Sequence, residues 1–194
     1  MPMSYDLTVL YGSVRRDRKG IRAARFMTQE LAARGHTPTL IDAQEVDLPL
    51  LDRMYKEYEP GAAPDNLEAM AKIIKASDGF IVVSGEYNHG IPPALKNMLD
   101  HFLEEWFWRP SAIVSYSMGP YGGVRAAMQL RMTLAELGMP SISSLMGIPH
   151  VHKAFEEDGT PTDDAWHRRA GRFLDEFEWY VAAQKAQRAK GTPG

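Results

Sequence analysis

Short runs of Val, Ile and Leu punctuate the chain, each running into Gly, Ser or Ala at its end and each followed by a stretch in which apolar residues recur every three or four positions. The runs are DLTVLYGS, TPTLIDA, GFIVVSGE, SAIVSYSMG and PSISSLMG. A strand with one wet face alternates apolar and polar side chains, whereas a continuous apolar run belongs to a strand covered on both sides. Five such runs alternating with helical segments predict an α/β fold, a doubly wound five-stranded parallel sheet with helices on both faces. Leu95, Met98, Leu99 and Phe102 fall at the i, i+3, i+4 and i+7 positions of one helix face, and Ala127, Leu130 and Leu134 share a face in their own segment. Pro92 and Pro93 suit a helix start, where the first N–H groups need no helical partner.

Phe173, Phe177, Tyr180 and Val181 predict a last amphipathic helix. Between Asp42 and Asn66, DLPLLDRMYKEYEPGAAP is too rich in Pro, Gly and charge for a long element, and HVHKAFEEDGTPTDDAW beyond Pro149 reads as a turn-containing excursion. No repeat and no boundary interrupts the pattern. The expectation is a single domain over residues 1–194, with about 185–194 a flexible tail.

Composition narrows the function. A chain of 194 residues buries roughly 70% of its unfolded surface as one domain, and 44% hydrophobic with 24% charged residues is an ordinary globular balance. With no Cys, disulfides, thiolate nucleophiles, Cys-ligated zinc and iron–sulfur clusters are all excluded. A formal charge of -3 argues against nucleic acid as a partner. The sequence shows neither a signal-peptide pattern nor a membrane-length apolar run, so no membrane partner and a cytoplasmic location are expected.

Against that mildly acidic background, LYGSVRRDRKGIRAARF (residues 10–26) carries five arginines and a lysine where a helix is expected to begin. A helix amino terminus is already partly positive, so cations there are misplaced unless an anion sits among them. Gly12, the Ser13 hydroxyl, the loop amides and Arg15 suit a phosphate. The loop lacks both G-x-G-x-x-G and G-x-x-x-x-G-K-[ST], which leaves a simple phosphate group rather than a dinucleotide or triphosphate motif. A solvated basic face is the competing reading of such a run taken alone.

Two further strand-to-helix loops point the same way. SGEYNHGIPPALKNMLDHF presents Glu86, Tyr87, Asn88, His89 and Gly90, with flat surfaces and hydrogen-bonding groups for a heteroaromatic ring. SYSMGPYGGVRAA sets Ser115, Ser117, Gly119, Gly122 and Gly123 around a strand end, a nest of amides suited to a carbonyl or a developing negative charge. Taken singly these are a capped turn and a Gly-rich turn. Together the three loops describe one ligand with a phosphate at one end and a polar flat ring at the other.

GSVR after the first strand, GEYNHGIPPALKNMLD after the third and SYSMGPYGGVRAA after the fourth resemble the NADPH-dependent FMN reductase family, over roughly Leu7 to Pro149. The resemblance implies a flavodoxin-like fold, bound FMN, and NADPH as co-substrate. It places Ser13 and Arg15 on the FMN phosphate, Glu86, Tyr87, Asn88 and His89 along the isoalloxazine, and Ser117, Gly119, Gly122 and Gly123 at its pyrimidine edge. Many relatives have Ser where this chain has Arg18 and Pro where it has Gly85. Arg18 or the Gly20 amide is therefore expected to share the phosphate, and the loop after Gly85 to be less rigid. Arg16 and other outer arginines are expected to meet the 2′-phosphate of NADPH.

No catalytic side chain is required when the electronics reside in the flavin. Glu104 and Glu105 point in different directions from neighbouring positions and are expected at the surface. His150 and His152 lack a third ligand, so no metal is expected. Of Trp106, Phe107 and Trp108 at least one is expected to be exposed or in an interface. The resemblance adds a homodimer or homotetramer and a small-molecule electron acceptor, whether quinone, free flavin or a related compound. A non-enzymatic flavodoxin-type electron carrier, or an FMN-binding sensor, is the alternative.

Overall fold

The computed structural model describes residues 3–193, so Met1, Pro2 and Gly194, the last residue of the expected tail, lie outside it. The elements are β1 (Asp6–Tyr11), α1 (Ile21–Ala33), β2 (Thr37–Asp42), α2 (Ala43–Val46), α3 (Asp65–Ala76), β3 (Gly79–Ser84) and α4 (Pro93–Asp100). They continue with β4 (Ser111–Tyr116), α5 (Val124–Glu136), β5 (Ser141–Ile148), α6 (Val151–Ala154) and α7 (Ala165–Arg188). All five predicted strands form, in one parallel sheet of order β2-β1-β3-β4-β5.

Alternate strand residues serve opposite cores, as the pleat requires. Leu7, Val9, Ile81, Val83 and Val114 pack with Phe26 and Met27 of α1 and Phe173, Leu174 and Phe177 of α7. Leu10, Phe80, Val82 and Ile113 pack with Leu67 and Ile74 of α3, Leu95 and Leu99 of α4, and Leu130 and Leu134 of α5. Helices therefore cover both faces. Strand order reverses between β1 and β3, and the carboxyl ends of these two strands form the crevice where such sheets take ligands.

Several sequence expectations are corrected. α1 begins only at Ile21, so Arg15, Arg16, Arg18 and Lys19 occupy the preceding loop, not the helix. The connection after Asp42 holds the short α2 and a 3-10 turn at Tyr55–Glu57 before α3 begins at Asp65. Tyr180 sits at the solvent side of α7, while Phe173, Phe177 and Val181 are buried. α7 runs on to Arg188, inside the segment read as a tail. The cause is Asp78: its buried carboxylate accepts from Lys185 Nζ at 2.6 Å and Arg188 Nη2 at 3.0 Å, tethering the last turn to the start of β3.

Candidate functional site

The loop after β1 reaches α1 with no side-chain cap, and α1 has no acidic residue in its first turn. The N–H groups of Ile21, Arg22 and Ala23 close tight turns onto the Arg18, Lys19 and Gly20 carbonyls at 3.2, 3.3 and 3.1 Å, so the helix end presents its dipole to the loop rather than free first-turn amides. The backbone N–H groups of Val14, Arg15, Arg16 and Gly20 find no acceptor among the described residues. Arg15 and Arg16 are exposed and form no ion pair there. Arg18 differs. Its guanidinium bonds the Asp42 carboxylate at the carboxyl end of β2 and donates to the Ser13 carbonyl at 3.2 Å. Asp42 also caps α2 by accepting from Gln44 N at 3.0 Å. Arg18 thus anchors the loop to β2, with its charge taken up by a buried carboxylate.

The loop after β3 is a tight hairpin. Tyr87 and Gly90 exchange backbone bonds of 3.0 and 2.9 Å, and Asn88 and His89 between them adopt φ of 50° and 68°. Two central residues at positive φ define a type I′ turn. Gln129 of α5 fastens it, donating to the His89 carbonyl at 3.2 Å and accepting from Ile91 N at 3.3 Å. Gly85 is packed against β4, where a Cβ would lie 3.0 Å from the Tyr116 ring. Asn88 and His89 are exposed at the tip.

Glu86 turns away from the tip toward α5. Its Oε2 accepts from Arg125 N at 2.9 Å and Ala126 N at 3.3 Å, and Oε1 lies 3.4 Å from the Arg125 guanidinium. The carboxylate expected along a flavin ring therefore caps a neighbouring helix.

The loop after β4 is folded by its own serines. Ser115 Oγ donates to the Gly122 carbonyl at 2.7 Å, while Ser117 Oγ donates to the Gly119 carbonyl at 2.8 Å and accepts from Gly122 N at 2.9 Å. Gly122 and Gly123 both have positive φ, and a Cβ on Gly123 would lie 2.6 Å from the Tyr116 carbonyl, so glycine is required there. The amides of Met118, Gly119, Tyr121 and Gly123 find no acceptor among the described residues. His150, beyond β5, supports the loop from outside: its N–H donates to the Gly119 carbonyl at 3.0 Å.

Ser13 Oγ lies 2.9 Å from Tyr87 Oη, joining the first loop to the second. Beneath them Tyr116 Oη donates to Tyr11 Oη at 3.4 Å, and their rings stack. Tyr116 fills the volume over Gly20, where a Cβ would lie 2.0 Å from its Cζ. Burial raises the Tyr116 phenol well above its ordinary range, with the neighbouring Tyr11 adding to the effect, and burial also raises Tyr11. Both hydroxyls stay neutral donors and acceptors. Sequence reading missed Tyr11, Asp42, Tyr116 and Arg125. The first three are each the last residue of a strand, the position from which a ligand crevice is built.

The donor set fits FMN. One loop offers Ser13, the free loop amides, the positive end of the α1 dipole and Arg15 to a dianionic phosphate, and the third loop offers free amides to ring carbonyls. The other candidates fall outside the site. Glu105, expected at the surface, is buried and accepts from Leu103 N at 3.2 Å. Among the described residues no cluster of three or more His, Asp or Glu suits a metal, and His150 Nδ1 sits 3.1 Å from the Met118 carbonyl. Trp106 is buried and Trp108 exposed, at the opposite end of the sheet from the loops.

The family model for NADPH-dependent FMN reductase matches residues 5–153. A quinone reductase of Pseudomonas putida is 28% identical over 191 residues, spanning 96% of this chain and 100% of its own. An NAD(P)H-dependent FMN reductase of Schizosaccharomyces pombe is 33% identical over 141 residues, 69% of this chain and 67% of its own. Among solved structures, the flavoenzyme FerB, an NAD(P)H:(acceptor) oxidoreductase of Paracoccus denitrificans, superposes with a TM-score of 0.74 at 23% identity, covering 92% of this chain and 97% of that one. A flavodoxin of Pseudomonas aeruginosa superposes with a TM-score of 0.57 at 17% identity, covering 91% and 98%. The fold is flavodoxin-like.

Proposed function

The chain belongs to the NADPH-dependent FMN reductase family and is an FMN-dependent NAD(P)H oxidoreductase; from that premise we propose that its acceptor is a quinone or a comparable small redox molecule, and that the three loops divide the cofactor between them. The unpaired amides of the first and third loops, set on either side of the hairpin after β3 at the carboxyl end of the sheet, carry this reading. When bound, FMN supplies the redox chemistry, accepting hydride from the nicotinamide and passing it on. The protein binds, orients and leaves one face open.

In this reading Arg15, the Ser13 hydroxyl and the amides before α1 hold the phosphate, with the Gly20 amide at the helix end. Arg18 keeps the loop in place against Asp42. The Tyr87 hydroxyl, bonded to Ser13, joins the phosphate end, while the backbone of Tyr87, Asn88 and His89 and the amides around Gly119, Gly122 and Gly123 face the ring. Ser117 acts by shaping that nest. A quinone acceptor is supported by the relatives named as quinone reductases.

The same premise extends to assembly. Val124, Met128 and Met132 project at i, i+4 and i+8 along one exposed face of α5, and Met118 and Tyr121 continue the stripe onto the third loop. Two copies of α5 laid antiparallel would set Met128 of one against Met132 of the other and Arg125 near Glu136, opposite charges at both ends. A homo-oligomer built on this face is the proposed state. No described helix is long and apolar enough to cross a membrane, and the cytoplasm, where reduced nicotinamides are plentiful, is the compartment the reading implies. A panel of quinones, free FMN and azo dyes with NADPH as donor tests the acceptor; failure of every quinone would remove that part of the proposal.

A further inference from the structure

Resting on the FMN reading above, we propose that Glu86 is a positioning residue, a carboxylate that caps α5 from the neighbouring loop and thereby fixes the spacing of the ring loop and the glycine nest while weakening the positive field of the α5 amino terminus at the cofactor.

Helix α5 starts at Val124 after Gly123, and Gly123 has no side chain with which to cap it. No acidic residue occupies its first turn. The Glu86 carboxylate serves instead, thirty-nine residues away in sequence, with bonds to Arg125 N and Ala126 N. Its side chain is only 12% exposed, and Arg125, stacked 5.0 Å from the Tyr121 ring, closes over it. Charge-assisted bonds to backbone amides are the strong kind. The anchored residue directly precedes Tyr87, and the anchoring amides of Arg125 and Ala126 are separated from the Gly122–Gly123 pair by Val124 alone. A single side chain therefore holds the loop on each side of the ring position. Gln129 adds a second tie between the hairpin and α5, but an uncharged one.

The consequence is electrostatic as well as geometric. A bare helix amino terminus beside a flavin favours the reduced, negatively charged ring, and a carboxylate on that terminus opposes it. Glu86 thus trades some stabilisation of the reduced cofactor for a fixed loop spacing.

The test compares Glu86→Gln and Glu86→Ala with the wild type in FMN titrations, in thermal melts of the flavin-free protein, and in the midpoint potential of the bound flavin. Glutamine keeps one acceptor oxygen but no charge. It is expected to leave FMN affinity within about threefold and to raise the midpoint potential. Alanine removes the tie and is expected to weaken FMN binding about tenfold or more, because the two released loops must then be ordered on binding. An unchanged potential in Glu86→Gln, or unchanged affinity in Glu86→Ala, overturns the proposal. Should the alanine variant fail to fold, the potential of the glutamine variant decides alone. A wild type that binds no FMN sinks the functional reading and this proposal with it, whereas wild-type binding with unmoved variants sinks only the proposal.

Discussion

Ser13 and Tyr87 share a hydrogen bond of 2.9 Å although 74 residues separate them, and the bond joins the loop after β1 to the loop after β3 across the β1/β3 crevice. Tyr87 therefore has two attachments: its backbone belongs to the hairpin after β3, and its hydroxyl to the loop after β1, the proposed phosphate site. Tyr87→Phe is expected to weaken FMN binding by two- to twelvefold, the equivalent of about 0.5–1.5 kcal/mol for one neutral hydrogen bond. Combined with Ser13→Ala the effects should be less than additive, since either change breaks the same bond. Full additivity in FMN titrations would show the two hydroxyls to act independently.

Arg15 and Arg18 lie three residues apart and are expected to respond oppositely. Arg15→Ala should cost about 1.5–3 kcal/mol of FMN binding, tenfold to 150-fold in affinity, and leave the flavin-free melting temperature in place. Arg18→Ala strands the buried Asp42 carboxylate and should cost about 3–5 kcal/mol of stability. Paired titrations and melts check both. A variant of Arg18 with wild-type stability would return that residue to the phosphate.

Gly20→Ala places a methyl inside the Tyr116 ring volume. Overpacking of this kind costs about 1–3 kcal/mol, and the strain falls at the start of α1, beside the proposed phosphate site. Tyr116→Phe in the same background keeps the ring and should not rescue; Tyr116→Ala should. Rescue by phenylalanine would mean that the hydroxyl, not the ring, makes the conflict.

The α5 stripe gives a test of assembly. Met132 is 70% exposed, so Met132→Glu adds a charge to the face without disturbing the core. Light scattering should show a smaller species than the wild type at equal concentration. A monomeric wild type, or an unshifted variant, removes this face from consideration.

Stability is expected to fall in acid through Glu178. Burial pushes its carboxyl up, but the bonds to Arg34 and His36 outweigh this and hold it below its ordinary value near 4.5. A carboxyl with a lowered folded-state pKa contributes fully above its unfolded value and loses that contribution as pH falls through the folded one. Melting temperature should decline below about pH 4.5, and Glu178→Gln should flatten the decline. An equally steep profile in the variant would assign the acid sensitivity elsewhere.

Much of this was legible in the sequence. The five strands announce themselves as apolar runs because both faces of the sheet are covered, and Leu95, Met98 and Leu99 mark α4 by spacing alone. The strand-end loops could be found because Gly, Ser and Arg gather there. What a linear reading misses is long-range pairing. Nothing near Arg18 shows that Asp42 neutralises it, and nothing near Glu86 shows that its partner amides begin a helix after another strand. Glu105 looks like a surface acid until Leu103 N closes on it. Lys185 and Arg188 look like part of a tail until Asp78 is brought beneath them.

The central claim, that three loops at the carboxyl ends of β1, β3 and β4 hold FMN, is tested most directly by titrating flavin-free protein with FMN while recording flavin absorbance and fluorescence, alongside Arg15→Ala. The expected result is saturable binding at micromolar concentration or below, with a perturbed flavin spectrum and an affinity at least about tenfold weaker in the variant. A protein that leaves the absorbance and fluorescence of FMN unchanged at micromolar concentration would contradict it.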